Sequence, residues 1–135
     1  MKFKTLDGKE RTVKNAKKYL IKWNDKSRSK LQEKVKNFLK PYWIGDVVFE
    51  ELKIVGTRLS IDFYNANKKI AIEVQGHQHF KYVPFFHGTR TNYLKQIKRD
   101  VKKINFCEIN KIFLVEIFPE DNLDKTLFER FGIYL

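Results

Sequence analysis

The spacing of apolar and polar positions changes period along the chain, and each change marks an element. Residues 2–13 alternate loosely around Asp7-Gly8, a dipeptide that favours a hairpin turn. Residues 15–23 read as a short basic helix broken at Asn24-Asp25. A second helix starts near Ser29, where Ser29 and Gln32 have the capping-box spacing, and Pro41 is expected to end it. Leu31, Val35, Phe38 and Leu39 fall at i, i+4, i+7 and i+8 there, one apolar stripe against a basic outer face. Residues 47–55, 58–64 and 69–75 are rich in β-branched and aromatic side chains and are separated by Gly56 and by Asn65-Ala66-Asn67-Lys68. They predict three consecutive antiparallel strands.

The pattern then lapses. Residues 76–90 carry Gly, Pro and three His among aromatics, which suits an irregular loop. Residues 91–106 predict a basic helix with Tyr93, Leu94, Ile97, Val101 and Ile104 on its inner side. Residues 112–118 form a nearly continuous apolar run suited to a buried strand, and Asp121 is placed to cap a last helix over 123–131. The order α-β-β-β-α-β-α fits one α/β domain: an extension at 1–26, a core at 29–118 and a C-terminal helix within 119–135. A chain of 135 residues supports one core, which buries roughly two-thirds of the unfolded surface.

Charge narrows the class. Twenty-eight Lys and Arg against 16 Asp and Glu leave +12, and self-repulsion on that scale is commonly answered by an anionic partner, with nucleic acid first. The bland reading is a basic protein whose scattered charges are only solvated. Cys107 is the one cysteine, so the chain cannot form an internal disulfide or a thiolate zinc cluster of its own, and a reducing, cytoplasmic setting fits. No apolar run reaches signal or membrane-span length, so neither secretion nor a membrane partner is expected.

The candidate chemistry lies on the second and third strands. Period-two alternation sets Leu59, Ile61 and Phe63 against Ser60, Asp62 and Tyr64, and Ile70, Ile72 and Val74 against Ala71, Glu73 and Gln75. If residues 66–69 form the turn, Asn65 opposes Ile70 and Asp62 opposes Glu73, with Cβ atoms about 5 Å apart. Facing carboxylates destabilise a sheet unless a proton or a cation lies between them. Mg²⁺ or Mn²⁺ held by Asp62, Glu73 and the carbonyl of Val74 would answer that need, with water and phosphate oxygens completing the shell. Gln75, about 7 Å further along the same face, is placed to orient the water. The alternative is a rim of solvated acids.

His77, Gln78 and His79 follow directly. The two histidines suit phosphate binding or acid catalysis, and with His87 and Cys107 they make a zinc site of irregular spacing; Cys107 is otherwise a small buried residue. Lys95, Lys98, Arg99 and Lys102 give the later helix a basic surface suited to a DNA backbone, or simply to solvent. Asp100 beside Arg99 and Lys103 suits a local ion pair. Tyr19 and Trp23 are a candidate second DNA contact or a cover for the core.

Taken together, Ser60-Ile61-Asp62-Phe63, a short turn, and Ile72-Glu73-Val74-Gln75-Gly76-His77-Gln78-His79-Phe80 resemble the PD-(D/E)XK nuclease superfamily, in particular its small very-short-patch-repair-like endonucleases of phage type. The resemblance continues through Gln96, Arg99-Asp100, Lys103, Cys107 and Asn110. It implies a restriction-endonuclease-like αβββαβ core with a mixed sheet, and a Mg²⁺-dependent endonuclease that leaves a 5′-phosphate and a 3′-hydroxyl on DNA. Asp62 and Glu73 would be the metal ligands, and Gln75 stands where the family usually has its catalytic lysine. Glutamine lacks that charge, so Lys95, Lys98 or Lys103 would substitute, or Gln75 only positions water. The helical acid of such families falls at Gln32, about 60° from the stripe centre, whereas Glu33, about 160° away, would face solvent. Rival readings are an inactive DNA-binding module of the same fold and an RNA nuclease. One site would nick a single strand, and concerted cutting would need a homodimer. The implied setting is the cytoplasm of a bacterium or of a phage-infected cell.

Overall fold

In a computed structural model, residues 1–76 and 90–135 are described, with side chains from 94 onward in the second stretch. The expectations for His77, Gln78, His79 and His87, and for the side chain of Tyr93, lie outside the described residues. A hairpin of β1 (Lys2–Lys4) and β2 (Glu10–Thr12) turns at Asp7-Gly8 as its sequence predicts. The basic stretch after it forms only a 3-10 turn at Ala16–Tyr19, because Leu20 leaves in an extended conformation to bridge Phe49. Next come α1 (Lys30–Trp43), β3 (Val48–Lys53), β4 (Ser60–Asn65) and β5 (Ile70–Val74). Then follow α2 (Arg90–Ile109), β6 (Phe113–Ile117) and α3 (Lys125–Glu129).

The strands form one mixed sheet in the order β3-β4-β5-β6, antiparallel except for β6, which runs parallel to β5. A parallel neighbour requires a crossover, and α2 lies within it. The sheet is packed on both faces. Val35, Leu39 and Trp43 of α1 meet Phe63, Ile72, Val115 and Ile117 on one side, with Leu127 and Phe128 of α3. Phe49, Leu52, Ile61, Tyr64 and Ala71 meet Phe106 and Cys107 of α2 and Phe3 of the hairpin on the other.

Ser29 Oγ accepts the Gln32 N–H at 3.1 Å, so the predicted cap forms. Pro41 does not end α1. It falls in the last turn, where the buried Trp43 anchors the chain and the Ile44 N–H closes on the Lys40 carbonyl at 3.0 Å. The last helix is capped by Asp124 rather than Asp121, whose carboxylate instead accepts the Phe118 N–H and shapes the turn before it.

The largest correction concerns α2. Leu94, Ile97, Val101 and Ile104, expected inside, are 50%, 40%, 47% and 37% exposed. The half-buried side is polar: Gln96, Asp100 and Lys103 share it with buried Cys107, at successive helical turns. The helix is rolled so that Lys103 meets a carboxylate on the sheet, and among its described side chains those at the C-terminal end, Phe106 and Cys107, join the apolar core.

Candidate active site

The turn after β4 sets the register. Asn65 is fully buried, its Oδ1 accepts the Lys68 N–H at 3.0 Å, and Lys69 adopts a left-handed φ of 54°. Asn65 then pairs with Ile70, Tyr64 with Ala71 and Phe63 with Ile72, the register the turn predicted. Past Phe63 side chains take over from the ladder. The Asp62 N–H donates to Glu73 Oε1 at 3.0 Å, and the Val74 N–H donates to Asp62 Oδ2 at 2.7 Å. Asp62 and Glu73 are thus interlocked through each other's backbone. The expected alternation along β4 breaks here, since Ile61 and Phe63 belong to opposite core layers. The carboxylates are inserted between two strands instead of standing on an open face.

Lys103 Nζ of α2 donates to Glu73 Oε2 at 2.7 Å. Of the three lysines considered as a replacement for a catalytic lysine, Lys103 reaches the pair, whereas Lys95 and Lys98 are exposed, as are Arg99 and Lys102. Burial raises the Asp62 carboxyl to about 6; Glu51 adds to the rise, while the Val74 N–H and Lys103 oppose it. Burial, then the charge of Asp62, raises Glu73 to about 7 against the pull of Lys103. Two acids therefore share one lysine in a poorly solvated place, and ionising both leaves an unbalanced negative charge.

That surplus is what a cation would neutralise. Among the described residues no three His, Cys, Asp or Glu side chains form a ready cage. The pair fits an ion such as Mg²⁺ or Mn²⁺, which takes one or two carboxylates and keeps water or phosphate oxygens in its other positions. Cys107 does not resemble a zinc ligand: it is buried, and its thiol is pushed up to about 12, first by burial and then by the charge of Glu73.

A further acid at the site escaped the sequence reading. Glu51 of β3 has a φ of 55°, which sets it and Glu50 toward the same partner: Gln32 Nε2 donates to Glu50 Oε2 and Glu51 Oε1, each at 3.0 Å. Ser60 Oγ lies 3.4 Å from Glu51 Oε2, and Arg28 Nη1 lies 3.6 Å from the same oxygen. The adjacent acids Glu50-Glu51 in a strand otherwise built for burial were the available signal. Gln32 is buried as its position on α1 predicted, while Glu33 is half-buried instead of solvent-facing.

Gln75 is also buried, with its N–H on the Ile117 carbonyl at 2.8 Å and its Nε2 at 3.4 Å from Glu116 Oε2. Glu116 is in turn the register partner of Glu73 across the parallel pair. Among the described residues no helix is long and apolar enough to cross a membrane.

No family model matches the chain, and no solved structure matches it. Part of it is similar to viral proteins. It is 43% identical over 63 residues to "Uncharacterized protein 094L" of Frog virus 3, covering 46% of this chain and 41% of that protein. It is 36% identical over 59 residues to "Uncharacterized protein 307L" of Invertebrate iridescent virus 6, covering 44% and 30%. A third match, "Uncharacterized protein 033L" of Invertebrate iridescent virus 3, is 33% identical over 64 residues, covering 47% and 33%. Each match spans less than half of the viral protein's own length.

Proposed function

We propose that this chain is a divalent-metal-dependent endodeoxyribonuclease with a restriction-endonuclease-like core of the PD-(D/E)XK kind. The observation that carries the reading is the interlocked pair of half-buried Asp62 and buried Glu73, both raised in pKa, with Lys103 hydrogen-bonded to Glu73. Asp62 and Glu73 would hold the ion. When bound, Mg²⁺ or Mn²⁺ neutralises charge on the scissile phosphate and acidifies the attacking water. Lys103 fixes Glu73 and brings to the site the positive charge that Gln75 lacks. Gln75, held by Glu116, positions polar atoms beside Glu73. Gln32 tethers Glu51, whose charge bears on Asp62. The net charge of +12 supports a polyanionic substrate, and the viral relatives support a virus-encoded origin.

Supercoiled plasmid incubated with wild type and with Asp62→Ala, each with Mg²⁺, Mn²⁺ or EDTA, tests the reading. Metal-dependent nicking that is lost in the variant is the expected result; linear product at high protein concentration would indicate paired copies. Clean wild-type protein that binds DNA and cuts no plasmid, duplex, single strand or branched DNA with any divalent metal would make the chain a binding module. Faster cutting of RNA than of DNA would make it an RNA nuclease.

A further inference from the structure

We infer that the N-terminal extension and the β3–β4 turn build a clamp for the phosphodiester backbone of the nucleic acid. The inference rests on the nucleic-acid reading of the Asp62–Glu73 site. A cleft of about 500 Å³ lies between these two segments. Arg11, Lys14, Lys18, Lys53 and Arg58 line it together with Tyr19, and no carboxylate is among its lining residues. Among the described residues none of these five cations forms an ion pair. Five uncompensated cations around one cleft repel one another, and a polyanion that displaces its counterions relieves that repulsion.

The cleft is built on fixed walls. Val13 is buried and Tyr19 packs against the same core layer as Phe49 and Tyr64, so the extension is tied to the sheet. On the opposite wall Gly56 has a φ of +80°, and a Cβ placed there would lie 3.5 Å from Arg11 Nη1. The turn passes close to the guanidinium, which stays in the cleft. Lys18 Nζ sits 5.0 Å from the centre of the Tyr19 ring.

The geometry also connects this cleft to the acids. A second hollow of about 260 Å³ shares Lys18 and Tyr19 with the first and runs past Lys22, Asp25, Lys26 and Arg28 to Lys36, Glu50 and Glu51. Glu51 Oε2 in turn lies 3.4 Å from the hydroxyl of Ser60, two residues before Asp62 on β4. A track in which Lys and Arg outnumber Asp and Glu therefore leads from the extension towards the candidate catalytic acids, with Lys18, Lys22 and Lys26 outside any ion pair among the described residues, longer than a single phosphate group needs and suited to a strand with regularly spaced charges.

The test is DNA binding in EDTA, where cutting does not interfere. Fluorescence anisotropy with a labelled 25-mer, as duplex and as single strand, is measured from 50 to 200 mM NaCl for wild type, for Lys18→Glu/Lys53→Glu/Arg58→Glu and for the milder Lys18→Gln/Lys53→Gln/Arg58→Gln. The glutamate triple is expected to bind on the order of 10²-fold more weakly, and the glutamine triple to lose about 2 to 3 units of salt slope, with circular dichroism unchanged. If the glutamate triple fails to fold, the glutamine triple decides. Unchanged affinity and slope would overturn the clamp, as would wild type that binds phosphatidylserine vesicles but not DNA. Wild type that binds through the cleft yet never cuts would remove the nuclease reading and leave the clamp standing.

Discussion

Two acid–lysine centres lie on the same sheet, and they differ in charge balance more than in burial. At one, Lys36 of α1, only 1% exposed, pairs with Glu50 Oε1 at 2.8 Å and donates to the Asp25 carbonyl at 3.0 Å. Ser27 Oγ and Gln32 Nε2 occupy the other Glu50 oxygen at 2.7 and 3.0 Å. One charge meets one charge, and the remaining acceptor capacity is filled. At the other centre Lys103 of α2 serves Asp62 and Glu73 together. The first centre is complete within the chain and holds α1 to β3. Among the described residues the second leaves a negative charge that a proton or a cation would balance, and that surplus is the ground on which chemistry is proposed there.

The sharpest way to break this contrast is to remove one member from each centre. Asp62→Ala should lower metal-dependent cleavage by on the order of 10³-fold or more, because an ion held by one carboxylate is poorly placed; gel quantitation of nicked plasmid measures it. Lys36→Met should act on the fold, costing on the order of 3 kcal/mol by leaving the half-buried Glu50 without its charge partner, read as a lower urea midpoint. Were Lys36→Met to cost nothing and Asp62→Ala to unfold the chain, the roles assigned to the two centres would be exchanged.

Acidity gives a third, smaller test. Metal can occupy the pair only after protons leave carboxyls raised to about 6 and about 7, so cleavage with Mg²⁺ should climb about 50-fold between pH 5 and 6, about tenfold between pH 6 and 7, and flatten above 7.5. A flat profile over that range would show that the pair is ionised throughout. The smallest effect is on metal-free stability. A carboxyl raised in the folded state binds its proton more tightly there than in the unfolded chain, so the stability it contributes is present at low pH and is lost as pH rises through the raised values. Asp62→Asn, which keeps an acceptor for the Val74 N–H, should therefore be more stable than wild type in EDTA at pH 8 by on the order of 1–3 kcal/mol, and no more stable at pH 4. Thermal melts of Glu50→Gln sharpen the comparison, because that change removes the ion pair with Lys36 and should show loss instead of gain.

How much of this was legible depended on whether local or tertiary forces set each feature. The turn at Asn65 is local, so the β4–β5 register and the meeting of Asp62 with Glu73 could be read from residue types alone. The Ser29 cap is local too. The roll of α2 is not. An apolar stripe ordinarily faces a sheet, but here the sheet offers Glu73, and the ion pair of Lys103 with it turns Leu94, Ile97, Val101 and Ile104 outward. Alternation likewise failed between Ile61 and Phe63, because inserted carboxylates disturb the pleat where β4 passes the site, and Glu51 went unread because its left-handed backbone is a tertiary feature. Pro41 misled for the related reason that a buried Trp43 outweighs a missing hydrogen bond in the last turn.

The left-handed backbone at Glu51 sets stability and charge against each other. Few residues with a Cβ accept a φ of 55°, and a glycine would do so without strain. A screen of random variants for heat resistance alone should therefore enrich Glu51→Gly, while a screen for activity on DNA should discard it. Position 51 is where thermostabilising engineering of this chain would most readily damage the site without disturbing the fold.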